Sequence, residues 1–257
     1  MRKIDRLNET NVNIFGTTMK IIENNNYNDI WIEFQDEYKV KMHTTYDRFL
    51  RGNISSPYDK TIYGIGYIGE GEYSRTKNNE VYKKWFGMLA RCYDPYELNK
   101  NPTYINCTVC EEWHNLQNFA KWYEENYYEI PNESMELDKD ILIKGNKIYS
   151  PQTCIFVPHN INCLFIKNNS LRGDLPIGVG FHKRDCKFYA QCNFIKGEKK
   201  KRGWLGYFDS VEEAFTCYKN FKENYIKQVA DEYKTLYSNF PQKVYDALYN
   251  YSYDIND

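Results

Sequence analysis

The chain has 257 residues, 17% of them aromatic, and a formal net charge of −1. That length allows one to three domains and a sizeable core, while the near-neutral balance excludes a polycation, so any contact with nucleic acid must come from local patches. No run of about eighteen apolar residues is present, which argues against a membrane span, and Met1-Arg2-Lys3-Ile4-Asp5-Arg6-Leu7-Asn8 lacks the apolar centre of a signal peptide.

The expectation is therefore a cytoplasmic protein. In a reducing compartment its eight cysteines read as thiols or metal ligands before disulfides.

Residues 1–76 read as a small β-rich unit. Lys20-Ile21-Ile22 and Asp29-Ile30-Trp31-Ile32-Glu33-Phe34 have strand character, with a turn expected at Asn24-Asn25-Asn26. Tyr38, Val40 and Met42 alternate with Lys39 and Lys41, the pattern of a half-buried strand. Tyr46, Phe49 and Leu50 followed by Gly52 predict a helical turn with a glycine stop. Gly64, Gly66, Gly69 and Gly71 predict a loop; no helix pattern follows them, so they make no dinucleotide fingerprint.

Residues 77–170 form the central unit. Val81, Trp85, Met88, Leu89 and Cys92 recur at helical spacing, a loop is expected around residues 99–102, and Leu116, Phe119 and Tyr123 mark a second helix. Short strands are expected at residues 137–142 and 155–157, with a bend at Gly145-Asn146 and a terminal helix or turn from Pro158.

Residues 171–240 read as three strands, near 177–181, 188–194 and 203–208, followed by a helix. Ser210-Val211-Glu212-Glu213 is a capping box, and Ala214, Phe215, Tyr218, Phe221, Tyr225 and Val229 form the apolar face behind it. Residues 241–257 read as a C-terminal tail.

Two segments carry opposite charge. Residues 111–140 hold nine Asp or Glu against two Lys or Arg, a net of −7, which repels DNA unless something compensates. Residues 172–204 hold nine Lys or Arg against three acids, a net of +6. Lys183 and Arg184 fall in one expected turn and Lys199-Lys200-Lys201-Arg202 in the next, while Tyr189, Gln191 and Asn193 alternate along the strand between them. Cys107-Thr108-Val109-Cys110 has zinc-ligand spacing. With Cys92 and Cys154, or with His114 as the alternative fourth ligand, it would close a structural zinc site.

Trp85, Met88, Arg91-Cys92-Tyr93, Val109-Cys110-Glu111-Glu112-Trp113, Phe119, Leu137-Asp138-Lys139-Asp140 and Tyr149-Ser150-Pro151 with Cys154 resemble the HNH-type nuclease modules of bacteriophages. The abundance of Asn, Lys and Tyr fits an AT-rich phage or its host. The resemblance implies a ββα core that hydrolyses a phosphodiester, by nicking or cleavage, with one magnesium ion. Asp138 takes its metal-ligand position, Asp140 is a second carboxylate on the same face of a regular strand, and His159 is the base or last ligand. The sequence departs from the pattern where Lys139 replaces the expected histidine and Thr153 an expected asparagine.

Gly178-Val179, Lys187-Phe188-Tyr189-Ala190, Leu205-Gly206-Tyr207-Phe208, Glu213-Ala214 and Ala230 resemble the plant Apetala-type, or ethylene-response-factor, DNA-binding domain. That resemblance implies a sheet lying in the major groove of double-stranded DNA. Lys183, Arg184, Tyr189, Gln191, Asn193, Lys199, Lys200, Lys201, Arg202 and Trp204 are the contact candidates.

The expected fold is α+β and multi-domain: a small N-terminal β module, a central HNH-like ββα-metal core, and a C-terminal three-stranded sheet plus helix. The expected function is a metal-dependent DNA endonuclease whose sites are chosen by that sheet. The alternatives are an inactive HNH-derived anti-defence protein, its acidic stretch occupying the basic groove of a host nuclease, and a DNA-binding regulator.

Overall fold

The computed structural model describes residues 5–166, 173–196 and 199–257, and the side chains of residues 195, 196 and 199–202 lie outside that description. Helix accounts for 36% and strand for 23%, the strands falling in four separate sheets, so the fold is α+β. The chain divides into two compact units, residues 1–125 with 147–152, and residues 126–146 with 153–257. This division does not follow the expected boundaries at 76, 170 and 240.

In the first unit, alternation at Met19 and Ile21, and again at Ile30, Ile32 and Phe34, sends five fully buried side chains to one face. The strands β1 (Thr10–Val12), β2 (Thr18–Asn26), β3 (Asp29–Phe34) and β4 (Lys41–Thr44) form an antiparallel sheet in chain order. The asparagine run expected to turn instead lies within β2. Asn26 pairs with Asp29, and the turn is Tyr27-Asn28. The strand expected over 38–42 begins only at Lys41, because Lys39 takes a left-handed φ of +53° that breaks extended backbone. Helix α1 (Tyr46–Leu50) stops near Gly52 as expected. Gly52 has φ +65°, and a Cβ there would lie 2.7 Å from the Val12 carbonyl oxygen.

Helix α2 (Asn79–Tyr93) buries Val81, Trp85, Met88, Leu89 and Cys92. Helix α3 (Pro95–Lys100), not expected, forms between α2 and the loop expected around residues 99–102 and takes in its first two residues. The Asp94 side chain accepts the Tyr96 N–H at 2.9 Å and Pro95 opens the first turn. Strand β5 (Thr108–Val109) precedes α4 (Leu116–Asn126) and pairs in parallel with β7 (Ile148–Tyr149), a return strand absent from the sequence expectation. The Trp85 indole donates to the Trp113 carbonyl at 2.7 Å, pinning α2 to the turn before α4.

In the second unit, β6 (Met135–Asp138) and β8 (Ile155–Pro158) pair antiparallel, and α5 (His159–Asn162) follows directly. Strands β9 (Val179–His182), β10 (Lys187–Lys196) and β11 (Lys199–Phe208) form a sheet with β10 at its centre. Helix α6 (Val211–Leu236) packs on one face of that sheet, and both halves of the expected capping box are made by Ser210 and Glu213. The buried stripe of α6 is Ala214, Phe215, Tyr218, Lys222, Ile226 and Ala230. Phe221, Tyr225 and Val229, expected in that stripe, are only half-buried, and a lysine takes the central position. The expected tail contains α7 (Gln242–Tyr249), which packs on α6 and buries Val244 and Leu248; Phe240 and Tyr253 are buried beside it. Among the described residues no helix is long and apolar enough to cross a membrane.

Candidate nucleic-acid interface

The period of two along β10 separates the faces of the C-terminal sheet. Ala190 and Cys192 are buried toward α6, and the Phe194 ring meets Phe221 and Tyr225 edge-on. Tyr189, Gln191 and Asn193 therefore occupy the opposite face, as the alternation predicts. Gly180 on β9 makes room there, since a Cβ at that position would come 2.2 Å from the Tyr189 ring. The adjoining edge of the sheet exposes Phe181.

A bulge builds the rest of this outer face. Ala190 pairs with Gly206, but Gln191 pairs with Trp204, so Leu205 is an extra residue in β11. Gly206 has φ +140° at this point. In a regular strand Trp204 and Tyr207 would face opposite ways, whereas the bulge brings both to the Tyr189 side. Trp204 stacks on Tyr189 with ring centroids 5.1 Å apart at 26°, and Tyr207 meets Trp204 edge-on at 4.8 Å. Trp204 remains 54% exposed and Tyr207 47%, so this aromatic group is open to solvent. Sequence reasoning found Tyr189 and Trp204 but missed Tyr207 and its neighbour His182, whose ring lies 5.5 Å from it. The signal that could have found Tyr207 is the glycine before it.

Lys183 and Arg184 lie in the β9–β10 turn, as expected. Arg184 is exposed and its guanidinium donates to Asp185 at 2.9 Å, holding that carboxyl below the usual carboxylate range. His182 also pairs with Asp185, at 3.1 Å. Lys199, Lys200, Lys201 and Arg202 belong to β11 rather than to a turn, and their backbones pair with residues 193–196. Their side chains lie outside the described residues.

The central carboxylates do other work. The expectation that Asp138 and Asp140 share one face of a strand is corrected, because β6 ends at Asp138. The Asp138 Oδ1 accepts the backbone N–H groups of Asp140 and Ile141, each at 2.7 Å, and so closes the turn after the strand. Burial raises the Asp138 pKa even though those two hydrogen bonds favour its charge. Lys139 is buried. Its ammonium donates to Asp140 Oδ2 at 2.7 Å and to the Asn146 carbonyl at 2.9 Å. Asp140 is thereby held as the partner of Lys139.

His159 does open the helix after β8, but its ring nitrogens are turned to other partners. Nδ1 pairs with Glu136 Oε1, and Nε2 lies 3.4 Å from the Cys163 sulfur. Asn162 donates to the other Glu136 oxygen. Neither Glu136 nor Cys163 was singled out from the sequence, because the contact joins a strand to a helix 23 positions further along the chain.

The cysteine set expected for zinc is split by the chain's division. Cys92, Cys107 and Cys110 belong to the first unit and Cys154 to the second. His114, the alternative ligand, has its Nε2 3.1 Å from the Val109 carbonyl oxygen. Burial pushes the Cys110 thiol up, which favours the neutral form. Among the described residues no group of three or more His, Cys, Asp or Glu side chains is arranged to hold a metal ion. The acidic stretch 111–140 is likewise divided between the units, at Glu125 and Asn126.

Comparison with known proteins gives no match: no protein-family model, no curated protein and no solved structure is similar to this chain.

Proposed function

We propose that this chain is a DNA-binding protein of regulatory type, which docks the outer face of the β9–β11 sheet on double-stranded DNA. One observation carries the reading: an open aromatic group, Tyr189, Trp204 and Tyr207, is flanked on the same three strands by the chain's most basic segment. Lysines and arginines from residues 183–202 contact phosphates and set affinity and register. Gln191 and Asn193 carry the amide groups that pair with base edges, adenine above all. Arg184 exchanges Asp185 for phosphate on binding. The protein acts in the cytoplasm of the cell that makes it, and its composition fits a phage source.

In the segment that carries the nuclease resemblance, β6 pairs with β8 and α5 follows. The segment's aspartates are engaged in a turn and an ion pair, so the reading assigns this unit a scaffolding role. A magnesium-dependent cut and a protein-directed inhibitor are the competing outcomes.

The test uses the full chain and a labelled duplex of random sequence, with anisotropy read at rising salt. Binding that weakens steeply with salt, and that weakens further in Trp204→Ala and Lys200→Glu, supports the reading. Absence of salt-sensitive binding overturns it and favours the inhibitor. Supercoiled plasmid with magnesium or manganese forms the second arm. Nicking that is lost in both Asp138→Ala and His159→Ala overturns the scaffolding role and restores the nuclease.

A further inference from the structure

Glu136, His159 and Cys163 form a relay with no part in the proposed DNA contact. His159 and Cys163 are four residues apart across one helical turn, so their side chains meet on one face. The distance from Cys163 Sγ to His159 Nε2 is 3.4 Å, within reach of a sulfur hydrogen bond. The other ring nitrogen is paired with Glu136 Oε1, and the second Glu136 oxygen accepts from Asn162 Nδ2. A carboxylate fixed at both oxygens thus orients an imidazole toward a thiol. This is the nucleophile, base and orienting-group order that activates a sulfur.

The group is accessible as well as connected. The His159 side chain is 54% exposed, and Cys163 is only half-buried. Of the remaining cysteines, Cys92, Cys107, Cys154 and Cys192 are buried, Cys110 and Cys217 are half-buried like Cys163, and Cys186 is exposed. The Cys186 sulfur lies against the Lys183 carbonyl, which cannot accept a proton for it.

We propose that Cys163 is a reactive thiol and a site of covalent modification by hydroperoxides and soft carbon electrophiles. His159 is the proton acceptor and Glu136 a positioning residue. With a hydroperoxide, the thiol proton passes to His159 Nε2 and the sulfur attacks the terminal peroxide oxygen. The S–O bond forms as the O–O bond breaks. The leaving alkoxide or hydroxide recovers the proton from His159, giving an alcohol or water. Sulfur is oxidised to the sulfenic acid as the peroxide is reduced.

The test labels the full-length protein with limiting iodoacetamide and reads each cysteine by peptide mass spectrometry. Sulfur displaces iodide, forming S–C and breaking C–I. Near neutral pH, Cys163 is expected to label about tenfold faster than Cys186, the span thiolate activation commonly gives. His159→Gln is expected to bring it to within about twofold of Cys186. Glu136→Gln is expected to slow it about threefold near neutral pH while leaving its rate above about pH 10 unchanged, because every accessible thiol is then ionised. A purely structural role for Glu136 would move both rates. Equal labelling of Cys163 and Cys186 in the unaltered protein overturns the proposal, as does a Cys163 rate unaffected by His159→Gln. Dilute hydrogen peroxide with a sulfenic-acid trap should mark Cys163 first. Trapping at Cys186 ahead of Cys163 also overturns the proposal.

Discussion

Trp204 lies stacked over Tyr189, on the neighbouring strand, because a bulge at Leu205 absorbs the odd residue that would otherwise turn Trp204 and Tyr207 to opposite faces. The indole stays more than half exposed, so it contributes little to the core and much to a surface. Trp204→Ala is expected to leave thermal stability within about 1 kcal/mol of the parent, typical of a change at an exposed site. It is expected to lower duplex affinity by about tenfold, as loss of a well-placed aromatic contact does. Anisotropy titration beside a melting curve checks both. Equal affinity for the variant would remove Trp204 from the interface.

The bulge itself is testable. Deleting Leu205 should return β11 to regular alternation with Trp204 and Tyr207 two positions apart, so both stay on the Tyr189 side. The expected outcome is a smaller loss of DNA affinity than that of Trp204→Ala, with the helical circular dichroism of α6 retained. A loss larger than that of Trp204→Ala would show that the bulge, and not the aromatic group alone, is what DNA meets.

Asp138 closes a turn with two backbone hydrogen bonds from a largely buried position. Asp138→Ala removes the acceptor and strands both N–H groups, at a cost of about 1–3 kcal/mol read by urea melting. Asp138→Asn keeps an acceptor oxygen and should cost less. The pH dependence follows from the raised pKa. The unfolded chain gives up this proton at lower pH than the folded protein, so the contribution of Asp138 to stability is full below its ordinary pKa. That contribution is lost as pH rises through the raised value. Asp138→Asn should flatten that fall, which urea midpoints measured from about pH 3 upward will read.

Lys222 occupies the buried stripe of α6 beside Cys192, with its ammonium 6.0 Å from the Tyr225 ring centre. Burial lowers its pKa below the ordinary lysine value. Between those two values the unfolded chain binds more protons, so stability rises with pH through that window. Lys222→Met should raise stability at neutral pH by about 1 kcal/mol, since burying a charge is costly and methionine fills a similar shape. It should also abolish that rise. A destabilised Lys222→Met would mean the ammonium holds a structural partner.

Tyr253 is buried with its ring edge-on to Tyr218 of α6, although it stands in a stretch that reads as a tail. Tyr253→Ala should cost about 3–5 kcal/mol, the range for emptying a large aromatic site. Truncation at residue 240 should cost more, because it also removes Val244 and Leu248. Chemical denaturation of the three proteins checks the order.

Local pattern determined much of this molecule. The alternation of Ile21, Ile30, Ile32 and Phe34 fixed the first sheet's buried face, the spacing of Val81, Trp85, Met88 and Cys92 fixed α2, and Ser210 with Glu213 fixed where α6 begins. These signals are short-range, since periodicity and capping are settled within one or two turns of chain. Tertiary structure decided the rest. It divided the cysteine set and the acidic stretch between two units, turned Asp138 and Lys139 into supports of a loop, and joined Glu136 to His159 and Cys163. Which side chains meet across 23 positions of chain depends on strand register and on where each strand stops. Those are set by packing against the remainder of the unit, and neighbouring residues carry no record of them.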